Sequence, residues 1–282
     1  MERRPLSGPN SLGRWRFAAH LGYARPDEPM LPATAGSVDP VAQVACAAAL
    51  GFAAITDNCL KLRPPEVQHG IGAALRAHGL VMGSFTYNAL AAEPPFFWGT
   101  PIADVGAALS DVLAVAERVG GGCINVILLD SGLPRDEQIA RATENFARAA
   151  EIVAARGFAM AMEPASRERV PLSLVERAAE AAAIVRATGP GHLGLILDSC
   201  HCLYAGDDMA AEIVAQADRL AIVQLADMPG RVEPGAGGLI DFDPIVAALE
   251  AIGWQGLIEA EFNPAQSGAA GEQRAVAALA RL

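Results

Sequence analysis

The sequence is short of paired cysteines, of basic residues and of long apolar runs, and each shortage removes a class of protein. Its five cysteines (Cys46, Cys59, Cys123, Cys200 and Cys202) are odd in number and scattered. They describe no disulfide framework, and no C-x-x-C pair suggests structural zinc. No stretch approaches the about 18 consecutive charge-free apolar residues of a membrane span. The opening residues MERRPLSGPNSLGRWR are basic but lack the apolar core of a secretory signal. Lys plus Arg number 21 against 32 for Asp plus Glu, a net charge of -11. Such a chain offers little basic surface to neutralise phosphates, and an anionic membrane repels it. The expectation is a reduced, cytoplasmic protein with no nucleic-acid or membrane partner, working on small molecules through a cation.

What is present is enough for a large core. The chain has 282 residues, 52% of them hydrophobic and 19% charged, too apolar for disorder. One pattern repeats along it: a short apolar run ends in polar residues and an Ala-rich amphipathic segment follows. The predicted strands are Phe17–Tyr23, Phe52–Asp57, Val81–Tyr87, Ile124–Leu129, Ala159–Glu163, Leu193–Asp198, Ala221–Asp227 and Leu257–Phe262. Asp39-Pro40 reads as an N-cap with proline at the first helical position. Helices are expected over 136–156, ending at Gly157, and over 173–188, starting at Ser173 and stopping at Gly189. Others follow near 207–218 and 243–252, and EQRAVAALARL closes the chain. Eight strands alternating with helices in this length predict a single-domain α/β fold, a (β/α)8 TIM barrel over 16–282. Residues 1–15 form a mobile N-terminal extension in this reading. The competing doubly wound sheet would show a Gly-rich phosphate turn after its first strand, and HLGYARPDE is not G-x-G-x-x-G.

A barrel of this type carries its active site at the C-terminal ends of its strands. Those ends read AMAMEPAS with Glu163, LILDSCH with Asp198 and His201, IVQLADMPGR with Gln224 and Asp227, and LIEAEFNP with Glu259 and Glu261. Within AMAMEP, Ala159 and Ala161 share parity with Glu163, while Met160 and Met162 face the other way. Small residues suit a barrel interior, so Glu163 should point into the mouth. Carboxylates and an amide oxygen converging there repel one another unless a cation sits among them, and oxygen donors suit Mg²⁺ or Mn²⁺. The bland alternative is that these are helix caps.

The runs MEPAS (162–166), LDSCH (197–201), VQLADMPGRVEPGAGGLIDF (223–242) and GLIEAEFNP (256–264) resemble the xylose-isomerase-like TIM barrels, and among them the hydroxypyruvate isomerase family. The resemblance implies metal ligands at Glu163, Asp198, Gln224 and Glu261, with Glu163 and Glu261 also the acid/base pair. It implies substrate contacts from His201, Arg231 and Glu233. His20, facing the mouth from the first strand, joins them or is a buried structural histidine. Related ketose 3-epimerases commonly carry histidine where this chain has Gln224, which favours the hydroxypyruvate isomerase branch. The chemistry suits the set: shifting a carbonyl to the neighbouring carbon removes one proton and returns another, and a divalent ion stabilises the enediolate between. Arg231 offers a fork for a substrate carboxylate, or else anchors its own loop to Glu233.

The chain departs from the family's usual PGRHEPGTGE at Val232, Ala236 and Gly238, positions around the substrate rather than among the ligands. The expected activity is therefore a metal-dependent isomerase of a small hydroxy-oxo acid or sugar. The alternatives are a ketose 3-epimerase or inosose-type dehydratase on the same scaffold, and a non-catalytic barrel. A histidine-rich zinc site of the endonuclease-IV kind does not fit five histidines. On the last strand Glu259 shares parity with Glu261, but spacing from Gly256 favours Glu261 as ligand. Alternation places Cys200 and Cys202 opposite His201, where they pack as small hydrophobes. The aromatic loop 88–101, with Phe96, Phe97 and Trp98, reads as a roof over the site or as a contact in a homo-oligomer.

Overall fold

The computed structural model describes residues 12–88, 96–189 and 191–282. Its strands are β1 (Arg16–His20), β2 (Ala54–Thr56), β3 (Val81–Met82), β4 (Ser84–Thr86), β5 (Cys123–Val126), β6 (Ala159–Met162), β7 (Leu193–Asp198), β8 (Leu220–Leu225) and β9 (Leu257–Ala260). The pairings are parallel and run in the order β3-β2-β1-β9-β8-β7-β6-β5-β4. Because β3 and β4 are consecutive pieces of one run parted at Gly83, the two ends of that order meet, and the sheet curls into a nearly closed barrel. The fold is the (β/α)8 barrel that the alternating pattern predicts.

Each predicted strand is present, and most are shorter at the C-terminal end. Beyond His20 the chain leaves the ladder, although the Leu21 amide still donates to the Thr56 carbonyl at 2.9 Å. Helices follow their local signals where caps are unambiguous. Asp39 accepts from the Ala42 amide at 3.0 Å, with Pro40 opening the helix Pro40–Ala49. The expected helix from Ser173 begins instead at Ala178. Ser173 bridges Leu129 and its hydroxyl donates to the Val175 carbonyl, so the segment is held extended until Arg177.

Side-chain alternation sorts the two faces of the barrel. Met160 and Met162 pack outward into the layer shared with the helices, while Ala161 lies inside with Cys123, Ile196 and Ile222. At ~25 cal/mol per Å² of apolar surface removed from water, the outer layer is the main source of stability. Of the loop read as a roof over the site or a homo-oligomer contact, the three aromatic residues turn inward. Phe96, Phe97 and Trp98 are buried in this chain's own core, Phe97 edge-on to Phe146 at 5.1 Å. Asn145 ties the segment down by donating to the carbonyls of Phe97, Trp98 and Thr100. Residues 89–95 of that loop, and 1–11 of the N-terminal extension, lie outside the described residues. Of the rest of that extension, Trp15 is buried and donates through its indole to the Leu282 carbonyl at 3.1 Å. Among the described residues no helix is long and apolar enough to cross a membrane.

The segment after β8 is folded around one carboxylate. Asp227 accepts from the amides of Met228, Gly235, Gly237, Gly238, Leu239 and Ile240 at 2.7–3.2 Å. Its own amide and carbonyl pair with Val232. Gly237 is required by this wrapping, since a Cβ there would stand 2.3 Å from the Met228 carbonyl oxygen. The wrapped loop carries Arg231 in the left-handed region at φ 54°, a conformation that the bonds to Asp227 hold in place. An Asp227→Asn substitution turns an NH2 toward amides that need an acceptor. It is expected to cost roughly 3 kcal/mol or more in urea unfolding; unchanged stability would mean that something other than this carboxylate holds the loop.

Candidate active site

Three buried carboxylates meet at the C-terminal mouth of the barrel. Glu163 follows β6, Asp198 ends β7 and Glu261 follows β9. One carboxylate oxygen from each lies within 4.8 Å of the others. Oxygens sharing one cation at roughly 2.1–2.5 Å stand no more than about 4–5 Å apart, so the spacing fits a single divalent ion. Gln224, on β8 beside Asp198 in the ladder, carries a buried Oε1 that makes no hydrogen bond. The same is true of Oε2 of Glu261. Buried oxygens without donors are costly, and a cation would satisfy both. The donor set therefore fits a hard divalent metal.

The cation that the structure does show there is Arg231. Its Nη2 donates to Asp198 Oδ2 at 2.7 Å and lies 3.0 Å from Glu261 Oε1, while Nε donates to the Glu261 carbonyl at 2.8 Å. Burial works against its charge, but the flanking Asp198 and Glu261 outweigh it and hold the guanidinium firmly protonated. The fork expected to face a substrate carboxylate is thus engaged with two members of the acidic cluster. It does not reach Glu233, whose carboxylate instead accepts from the Ala265 amide at 2.7 Å. Glu233 also lines a groove with Arg274 and Arg281.

One guanidinium does not balance three carboxylates. Burial pushes Glu163 well above the usual carboxylate range, with Glu261 and Asp198 adding to the rise. Glu261 is likewise raised by burial, opposed by Arg231, to about 7. His201 sits 3.5 Å from Glu163 through Nε2, and its Nδ1 accepts from the Ser166 amide at 3.1 Å. Burial lowers its pKa to about 4, so the imidazole is neutral and offers Nε2–H toward the cluster. His20 is lowered to about 4 by burial as well, with Nε2 2.8 Å from the Phe262 carbonyl and its ring edge-on to Tyr23.

Alternation does not describe Cys200-His201-Cys202, because Ser199–Ala205 is a helix capped by Asp198, whose Oδ1 accepts from the His201 amide at 2.8 Å. Both cysteines nonetheless pack in the hydrophobic core. Two asparagines escaped the sequence reading. Asn125 donates through Nδ2 to Glu163, and Asn58 donates to Glu261 Oε1 at 3.0 Å. Asn125 had a signal, a lone amide at inward parity within CINV; Asn58 follows β2 in a loop and had none.

A family model described as a xylose isomerase-like TIM barrel matches residues 44–282. The chain belongs to this family. Within it, the protein is 28% identical over 171 residues to 2-oxo-tetronate isomerase of Cupriavidus necator, covering 60% of this chain and 65% of that protein. It is 30% identical over 122 residues to a putative hydroxypyruvate isomerase of Mus musculus, covering 43% of this chain and 44% of that one. The matches thus span about half to two thirds of these relatives' lengths. Among solved structures, one titled AP endonuclease, family 2, from Brucella melitensis superposes with a TM-score of 0.75 at 21% identity, over 91% of this chain and 96% of that one. At that identity the likeness is one of fold.

The raised carboxyls give stability a sign. The unfolded chain releases the Glu261 proton near 4.5 and the folded chain holds it to about 7, so rising pH across that window favours unfolding. In EDTA, the thermal midpoint should fall between about pH 5 and 7.5, and Glu261→Gln should flatten the fall. An identical slope in the variant would place the proton on another group.

Proposed function

We propose that this protein is an isomerase that moves a carbonyl between neighbouring carbons of a small hydroxy-oxo acid or sugar, in the manner of hydroxypyruvate isomerase. The observation that carries the reading is the pair Glu163 and Glu261. Both are buried, both share one acidic cluster, and both are shifted toward the pH range in which a carboxyl can take up and release a proton. The relatives named as isomerases support the same class.

The isomerisation takes one proton from the carbon bearing the hydroxyl and returns one to the former carbonyl carbon, while the hydroxyl proton passes to the former carbonyl oxygen. Glu163 and Glu261 are assigned these two transfers. Asn125 and Asn58 each donate one hydrogen bond to these carboxyls, Asn58 sharing Glu261 Oε1 with Arg231, and Oε2 of Glu261 is left without a hydrogen bond. Neutral His201 offers Nε2–H to a substrate oxygen beside Glu163. Glu163, Asp198, Glu261 and Oε1 of Gln224 would hold a divalent cation, with Mg²⁺ or Mn²⁺ suiting an all-oxygen set. Such an ion, when bound, supplies the positive charge that an oxygen gains from as the neighbouring carbon loses its proton.

The test is proton NMR in D₂O with Mg²⁺ over hydroxypyruvate, a four-carbon 2-oxo acid, a ketohexose and an inosose, each with and without EDTA. Solvent deuterium should replace a proton beside the carbonyl in a metal-dependent way, with a shifted carbonyl in the product. An inverted centre or loss of water would instead identify an epimerase or a dehydratase. Glu163→Gln and Glu261→Gln should each lower turnover by roughly 10²–10⁴-fold while the fold persists. Full activity in either variant would overturn the assignment.

A further inference from the structure

Beneath the acidic cluster lies a fourth buried carboxylate that the proposed chemistry does not use. Glu259 is on β9, fully enclosed, and its ladder neighbour on β8 is Gln224. Its Oε1 accepts from the Ser84 amide at 2.6 Å. Its Oε2 accepts from the Ser84 hydroxyl at 2.6 Å and from Gln224 Nε2 at 3.0 Å. The Thr56 hydroxyl, which donates to the Ser84 carbonyl at 2.8 Å, closes the group from β2.

Space has been made for this carboxylate. The run that would otherwise be one strand breaks at Gly83, and a Cβ there would stand 2.5 Å from Glu259 Oε1 and 3.2 Å from the Ile55 carbonyl oxygen. A lone buried carboxylate is expensive, and burial raises its pKa against the donors around it. An apolar residue in the same place would avoid that cost. Something must be gained from having an acceptor at this point.

We propose that Glu259 is a positioning residue that decides which end of the Gln224 amide faces the acidic cluster. Both oxygens of Glu259 already accept from Ser84, and Oε2 also receives Gln224 Nε2 at 3.0 Å, so the end of the Gln224 amide beside this carboxyl is the NH2. Gln224 stands between two ladder neighbours, Glu259 on β9 and Asp198 on β7. With NH2 committed to Glu259, the carbonyl oxygen is left for the Asp198 flank, where it makes no hydrogen bond. Were the amide reversed, it would turn two N–H donors toward the carboxylates and offer a cation nothing. The inference rests on the reading of Asp198, Gln224 and the two glutamates as a cation site.

The experiment is a cycle of Glu259→Gln, Gln224→Glu and the double variant in the full chain, stripped of metal. Mn²⁺ affinity is measured by calorimetry and the thermal midpoint in EDTA. In Glu259→Gln the new NH2 faces the old one, Gln224 reverses, and Mn²⁺ affinity should fall roughly 10–100-fold. Gln224→Glu alone sets two carboxylates side by side and should lower the midpoint in EDTA. The double variant restores a donor–acceptor pair in the opposite sense, and its midpoint should rise above that of Gln224→Glu. Simple addition of the two single effects on the midpoint, or unchanged Mn²⁺ affinity in Glu259→Gln, overturns the proposal. A second reading needs no variant: in the wild-type protein, Mg²⁺ should shift the Gln224 side-chain carbonyl carbon while its NH2 stays protected from exchange. A carbonyl that does not respond to bound Mg²⁺ overturns it too. Failure of the wild-type protein to bind either ion is a different result, which removes the cation site itself.

Discussion

Repulsion among carboxylates in a dry place is the constraint around which this barrel mouth is arranged. Glu163, Asp198 and Glu261 converge from the ends of β6, β7 and β9, which fall within a run of four neighbouring strands, and among the described residues Arg231 is the cation that touches two of them. Left ionised and unpaired in such surroundings, these groups would oppose folding. The structure answers with a guanidinium and with an oxygen set that a divalent ion can complete, while burial raises the pKa of both glutamates. Burial first, and the neighbouring carboxylates after it, raise Glu163 and Glu261 above the usual carboxylate range.

Much of the surrounding architecture serves to hold that arrangement still. Arg231 can reach the cluster only because its loop is wound about Asp227, with three glycine amides among the donors. Asn125 on β5 and Asn58 after β2 each fix one glutamate. Below them, the polar group of Ser84, Glu259 and Gln224 interrupts an interior otherwise filled by small and branched apolar side chains such as Ala161, Ile196 and Ile222. Strand ends carry the three carboxylates, and neighbours from strand and loop alike are bonded to them, an arrangement that restrains each oxygen.

The repeating run-and-helix pattern made the barrel legible, because side-chain alternation and helical periodicity are local properties of a chain. Parity within AMAMEP correctly turned Met160 and Met162 outward and Ala161 inward. Parity failed at Cys200-His201-Cys202, where Asp198 caps a helix at once and the period changes from two to 3.6. The helix-start signal at Ser173 failed too, because a hydroxyl bonded to nearby backbone accompanies a chain that stays extended until Arg177. The aromatic run at 96–98 reads as surface in a linear chain, and Asn145, some forty-five residues later, draws it into the core.

From the sequence alone, then, came the barrel, the strand ends and the identity of the acidic residues placed on them. Tertiary structure alone decided their partners. Asn58 meets Glu261 across 203 residues and Ser84 meets Glu259 across 175, contacts that exist only because the sheet curls round and β9 lies beside β1. Arg231 turned to Asp198 and Glu261 rather than to Glu233 for the same reason. Periodicity says which face a side chain takes; the depth at which it sits, and the atom it meets there, follow from barrel register, which no stretch of chain contains by itself.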